Sequence, residues 1–131
     1  MSNHFSWVIA LGLMASLTLP FGPAHTPQDP AVKQLAAESH TAAKAVWERL
    51  AGDPWETLQD YESGATWSRR LAESASESGA LTMREAFTQH LARMQDMLAT
   101  TKELFQGGRR TAVGVAVLEY HVAEAKRLAQ R

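Results

Sequence analysis

The longest regular pattern of apolar residues runs through the stretch 82–105. Apolar side chains return there at alternating steps of four and three residues, which is typical of a helix with one buried seam. The seam consists of Met83, Phe87, His90, Met94, Met97, Thr101 and Leu104, and it is apolar except at His90 and Thr101. Thr82 and Glu85 have the spacing of a capping box before it, and Gly107–Gly108 follow it as a stop signal. The sequence therefore predicts one long helix that organises the rest of the chain.

Three other stretches also have helical spacing. Asp29–Pro30 and Asp53–Pro54 each place an N-cap residue before a proline at the first helical position, so a helix is predicted to begin at each. The first is expected to end near Ala51, and the last to run from Thr111 to Arg131. No strand pattern is present. The predicted fold is all-α, with four helices after an N-terminal segment, arranged as an up-and-down bundle or as long antiparallel hairpins.

The first two of these helices differ in the apolar surface that they present. The first has two neighbouring lines on its expected inner face, namely Val32, Leu35, Ser39, Ala42 and Val46, and Ala36, His40, Ala43, Trp47 and Leu50. The second has only a thin stripe on its expected inner face, namely Leu58, Tyr61, Ala65, Ser68, Ala72 and Ala75. It also carries Gly64 in its middle, which is expected to weaken it by up to ~1 kcal/mol relative to alanine. Its polar end, residues 73–79, is expected to fray.

The beginning of the chain differs in composition from the rest. Its first 28 residues carry no Asp, Glu, Lys or Arg, and Trp7–Leu19 is almost continuously apolar. That run is shorter than the roughly 20 residues of a membrane span and fits the core of a signal peptide. We expect residues 1–24 to be a signal peptide, 25–29 a linker and 30–131 a helical domain. The protein would then be periplasmic or secreted, with no stable membrane span after signal removal. An uncleaved anchor or a buried helix is the alternative.

Charge and cysteine usage exclude several classes of protein. The 131 residues include 13 basic and 14 acidic side chains, and this balance argues against a nucleic-acid-binding protein. The absence of cysteine excludes disulfides, zinc–thiolate sites, iron–sulfur clusters and thiol nucleophiles.

The last two predicted helices resemble a known hairpin. Phe105, Gly108 and Thr111 stand three residues apart and are followed by Leu118-Glu119 and Glu124-Ala125. This order is similar to the helical hairpin repeat of outer-membrane efflux proteins of the TolC type, over roughly residues 84–131. The resemblance implies an antiparallel helical hairpin in this part of the chain. The family's transport activity is not carried over, because the sequence lacks the strands of a membrane barrel.

Four histidines are candidate metal ligands. His40, His90 and His121 lie on three different predicted helices, on or beside the inner face, so they could converge on a metal ion. Alternatively, each is a core histidine with one ring nitrogen hydrogen-bonded. If cleavage follows Ala24, His25 becomes the first residue and offers its α-amine and a ring nitrogen, a pair suited to copper. Its position could equally be accidental. No other cofactor is indicated.

The turn before the last helix is a candidate anion site. It contains Gly107, Gly108, Arg109, Arg110 and Thr111. Backbone N–H groups at a helix N-terminus, with arginines beside them, can hold a phosphate or carboxylate. The spacing of a P-loop is absent, and a tight turn with solvated arginines is the favoured interpretation.

No enzymatic motif is present. The sequence has no Gly-x-Ser-x-Gly elbow and no local Ser/His/Asp context, so we expect a protein that is not an enzyme. The leading hypothesis is an exported helical protein that packs against itself as a homo-oligomer or against an envelope partner. Its basis is the long seam at 83–104, which the thin second helix is expected to leave partly uncovered. The alternative is a small periplasmic copper-binding protein that uses His25 or the bundle histidines.

Overall fold

The computed structural model describes residues 29–131, and this part of the chain is all-helical. The helices are α1 (Pro30–Gly52), α2 (Leu58–Glu77), α3 (Met83–Gln106) and α4 (Ala112–Ala129). The predicted all-α class is thereby confirmed. The expected signal peptide and nearly all of the expected linker lie outside the described residues. None of these four helices combines the length and the apolar character needed to cross a membrane.

The predicted signals at the ends of α1 and α3 are confirmed. The Asp29 carboxylate accepts the Ala31 N–H at 2.7 Å at the start of α1. Thr82 and Glu85 form the predicted capping box, in which each side chain accepts the other's backbone N–H. Gly108 follows α3 with φ +76°, a left-handed conformation that glycine adopts without a steric cost. These ends were predictable because the residues that cap them are neighbours in the chain.

The predicted start of the second helix at Asp53–Pro54 is wrong. Asp53 has extended backbone angles and caps the end of α1 instead. The N-cap of α2 is Thr57, whose box partner Asp60 accepts the backbone N–H of Thr57 at 2.8 Å. The non-helical residues between the two helices let Trp55 turn into the core, where its indole N–H donates to the Leu50 carbonyl at 2.8 Å.

Helix α2 occupies the centre of the arrangement. It packs against each of the other three helices, and α3 and α4 also pack against each other along their length. Among the described helices, the backbone of α1 comes close only to that of α2. The chain therefore forms a three-helix core of α2, α3 and α4, with α1 along one flank. The predicted helical bundle of four helices is confirmed, and helices that are neighbours in the chain pack against each other.

Aromatic rings from α1, from α2 and from the loop between them pack together in the core. The ring of Trp55 makes edge contacts with Trp47 and Tyr61, each at a centroid distance of 6.0 Å. Gly64 lies directly beneath Trp55, and a Cβ there would overlap the indole ring. A Cβ on Gly114 would lie 2.7 Å from the Tyr61 hydroxyl oxygen. Gly64 is thus required by packing, whereas the sequence suggested only a weakened helix.

The seam of α3 was expected to be partly uncovered, but the exposed apolar line lies on α1 instead. On α3 the seam is buried or half-buried from Phe87 to Leu104, and Met83 at its start is exposed. The end of α2 does not fray, since Ala75 is buried against Ala86 and Phe87 at the start of α3 and Ser74 is buried beside His40 of α1. On α1, in contrast, one of the two predicted lines packs on α2, and the other faces outward and is exposed except at its half-buried end, Val46. We call the outward-facing set the apolar line of α1: Val32, Leu35, Ser39, Ala42 and Val46.

Candidate functional site

A polar cluster lies inside the interface between α2 and α3. The hydroxyl oxygen of Ser68 is 2.7 Å from Nδ1 of His90, and it accepts the Nε–H of Arg93 at 2.7 Å. Arg93 also donates from Nη2 to the Ser68 carbonyl at 2.8 Å. Because the Ser68 oxygen already accepts one N–H, its own proton is free to be donated to Nδ1 of a neutral imidazole. The three side chains thus lock α3 to the middle of α2.

Burial keeps His90 uncharged. Its side chain is only 2% exposed. Burial, followed by the positive charges of Arg93 and Arg69 and by His121, lowers the pKa of His90 from 6.5 to about 4. Near neutral pH the imidazole is therefore neutral, and it can accept the Ser68 proton.

The hydroxyl–imidazole distance of the Ser68–His90 pair is that of a catalytic serine and its base, but the groups around the pair do not suit catalysis. Ser68 is 0% exposed, so a substrate cannot reach its hydroxyl in this conformation. The third member of the cluster is the cation Arg93, whereas a base of this type is normally oriented by a carboxylate. The cluster is therefore built to connect two helices.

Arg93 also reaches the edge of an open groove. The groove runs between α1 and α3 over the surface of α2 and has a volume of about 470 Å³. We call it the arginine groove. It is lined by His40, Lys44, Trp47, Glu48, Leu71, Leu81, Gln89 and Arg93, with alanines of α2 in its floor. The Arg93 guanidinium lies over the Trp47 ring at 5.6 Å.

The predicted histidine ligands are each held in a different environment. Nδ1 of His40 is 3.3 Å from the Ser74 hydroxyl, while His90 contacts Ser68. Nε2 of His121 is 3.3 Å from a carboxylate oxygen of Glu62, but the geometry is not that of a hydrogen bond. Residues 29–131 bring together no group of three or more His, Asp or Glu side chains that could hold a metal ion.

The remaining metal prediction concerns the first part of the chain. His25 lies outside the described residues, so copper binding at this position stays a prediction.

One arginine of the candidate anion-binding turn makes hydrogen bonds to backbone carbonyl groups. Arg110 donates from Nε to the Trp55 carbonyl and from Nη1 to the Arg109 carbonyl, both at 2.8 Å. It thereby ties the turn before α4 to the loop between α1 and α2. Thr111 is the N-cap of α4, as predicted, but its side chain makes no capping hydrogen bond. Arg109, Gly107 and Gly108 are exposed. Anion binding at this turn stays a prediction.

A second groove lies beside the apolar line of α1. It runs between α1 and α2, has a volume of about 410 Å³, and is bordered by Ser39, Ala42 and Trp67. Arg70 stacks over the Trp67 ring at 4.6 Å. Because the arginine groove lies on the other side of the α1–α2 contact, the two grooves are separate surfaces.

Comparison of the chain with protein-family models, curated proteins and solved structures finds no match. The resemblance of residues 84–131 to the hairpin of TolC-type proteins therefore stays a prediction.

The sequence showed only part of this site. Ser68 and His90 both fall on predicted inner faces, which is the signal that could have paired them. Arg93 stands outside the apolar seam of α3, three residues after His90. Nothing local to it indicates that its side chain bends back over α2.

Proposed function

We propose that this protein is an exported, non-enzymatic helical module that associates with a second copy of itself through α1. The observation that carries the proposal is the exposed apolar line of α1. Leu35 is 61% exposed and Val32 is 49% exposed, although both belong to a helix whose neighbouring line is packed on α2. Contiguous apolar surface of this kind is typical of a binding face.

The spacing of the line suits pairing with another helix. Its members follow one another at steps of three, four, three and four residues, the seam of a two-helix coiled coil. Ser39 and Ala42 stand at its centre, and such small side chains allow two helices to approach closely. The line extends over about 21 Å, at roughly 1.5 Å per residue.

Charge favours an antiparallel pair. Arg49 continues the spacing of the line after Val46. In a parallel pair the two Arg49 side chains would meet in one layer and repel each other. In an antiparallel pair centred between Ser39 and Ala42, Arg49 of one copy lies near Val32 of the other, at the end of the contact, where it can extend to water. The interface is then self-complementary about a two-fold axis.

Export is the second part of the proposal. It is supported by the uncharged first 28 residues and the apolar run Trp7–Leu19. Intact mass of the protein isolated from the cells that make it tests this part. A chain that begins near residue 25 supports export, and a chain that retains its first residues outside any membrane argues against it.

Analytical ultracentrifugation over a range of concentrations tests self-association. We expect a reversible dimer whose dissociation constant rises about a hundredfold or more in Leu35→Glu, because each copy loses a buried leucine. Leu58→Glu is the matched control, since Leu58 is 57% exposed but lies outside the line. A chain that stays monomeric at every concentration would overturn self-association. The envelope partner would then be the remaining form of the hypothesis.

A further inference from the structure

The positive charge of Arg93 has no partner carboxylate among residues 29–131. Its Nε and Nη2 groups are occupied by Ser68, while Nη1 makes no hydrogen bond among residues 29–131. No carboxylate of those residues lies within ion-pair distance of it. The side chain is half-buried, and burial lowers the pKa of Arg93 to about 10. Charged groups in such positions are normally paired, because desolvation without a counter-ion is costly.

The surroundings of Arg93 are apolar on one side and open on the other. The floor of the arginine groove is formed by Leu71, Ala72 and Ala75, and the Trp47 ring forms one wall. Its volume of about 470 Å³ lies within the range of small-molecule sites, roughly 300–1,000 Å³.

Besides Arg93, the charged side chains that line the groove are Lys44 and Glu48, so the groove carries a net positive charge of one. Lys44 lies 4.0 Å from Glu48 on the same helix, so these two largely offset each other. Gln89, one turn before Arg93 on α3, is neutral. A ligand with a single negative charge would neutralise the groove.

We infer that the arginine groove binds a small amphipathic monocarboxylate. Its carboxylate accepts hydrogen bonds from the free donors of Arg93, which suit a planar anion. Its apolar part lies on the Trp47 ring and the floor of α2. This surface is separate from the apolar line of α1, so ligand binding and self-association can be measured independently.

Isothermal titration calorimetry of the full chain with phenylbutyrate tests the inference. Phenylbutyramide has the same shape without the charge, and inorganic phosphate has charge without the apolar part. We expect phenylbutyrate to bind at least about tenfold more tightly than either, since a charge-assisted pair is lost with the first and the apolar contact with the second.

Variants locate the site. Arg93→Gln removes the cation and should weaken phenylbutyrate binding at least about tenfold. Gln89→Glu is the second variant, because it changes an exposed side chain and leaves the Ser68 contacts in place. Its new carboxylate one turn from Arg93 competes with the ligand, so binding should weaken several-fold while the urea midpoint stays equal or rises. Arg70→Gln is the matched control, an arginine stacked on a tryptophan outside this groove.

Four results would overturn the inference. The first is equal binding of the acid and its amide, which would mean that no charge is recognised. The second is unchanged binding in Gln89→Glu. The third is a loss in Arg70→Gln as large as in Arg93→Gln, which would place the ligand elsewhere. Phosphate binding as tight as that of phenylbutyrate would reject the amphipathic ligand in favour of a plain anion site.

Discussion

Nδ1 of His90 on α3 lies 2.7 Å from Oγ of Ser68 on α2, and both side chains are almost completely withdrawn from water. This contact holds only while the imidazole is neutral and can accept the serine proton. The stability of the fold should therefore depend on pH through His90.

We expect the free energy of unfolding to fall as the pH is lowered from about 6.5 to about 4. Burial lowers the pKa of His90 to about 4, whereas an unfolded histidine titrates near 6.5. Within this window the unfolded chain binds the additional proton, so acid favours unfolding. A pKa difference of this size corresponds to about 3 kcal/mol. Urea unfolding at several pH values measures the change. His90→Asn should largely remove this slope, and His40→Asn, at a half-exposed position, should retain it.

Ser68→Ala should destabilise the protein by about 1–3 kcal/mol. It removes the side-chain oxygen that Arg93 Nε and His90 Nδ1 share, and it leaves both groups without that partner. Urea unfolding at pH 7.5 gives the value. Ser74→Ala is the control, because the Ser74 hydroxyl donates to a carbonyl of its own helix and its partner His40 is partly exposed. Equal effects of the two changes would contradict the central role of Ser68.

Gly64→Ala should be destabilising by about 1–3 kcal/mol, although alanine favours helices. The added methyl group overlaps the buried ring of Trp55, and the cost of overpacking outweighs the gain of up to about 1 kcal/mol in helix propensity. Thermal unfolding followed by circular dichroism measures it. Gly52→Ala meets no atom within 4 Å and should be neutral or slightly stabilising.

Arg110→Gln should lower the free energy of unfolding by about 1–2 kcal/mol, whereas Arg109→Gln should have little effect. Only Arg110 donates to the Trp55 carbonyl, at 2.8 Å. Denaturant midpoints with and without added phosphate distinguish this role from anion binding. Stabilisation by phosphate that both changes abolish would instead support a site at residues 107–111.

The helix caps offer a comparison of two threonines. Thr82→Ala removes the hydroxyl that accepts the Glu85 N–H and should cost about 1 kcal/mol. Thr111 occupies the same position at α4 without a capping hydrogen bond, so Thr111→Ala should change stability by much less. Urea unfolding of the two variants is sufficient, and similar losses would contradict the observed difference in capping.

The features that the sequence predicted well are local ones. Asp29, the Thr82–Glu85 box and Gly108 act on residues a few positions away, so their spacing alone reveals the helix ends. The start of α2 was missed because Trp55, which must leave the helix to enter the core, outweighs the Asp53–Pro54 signal. That effect depends on what surrounds the ring in space.

The candidate site was less predictable for the same reason. Both apolar lines of α1 have helical spacing, and only contact with α2 decides which of them is covered. Likewise, Arg93 meets Ser68 across 25 positions of the chain. Pairings of this kind follow from how the helices pack, which periodicity along one helix does not encode.

Because α1 packs along one flank, we expect the four helices to open in two separate cooperative units. Helices α2, α3 and α4 support one another, so their central amides should exchange with solvent only when the whole core opens. Helix α1 rests mainly on one neighbour, so we expect it to open at a lower free energy than that core. Its amide protons should then exchange sooner, and a second copy bound along the apolar line would slow them. Occupancy of that face could thus be measured residue by residue from the rate at which α1 takes up deuterium.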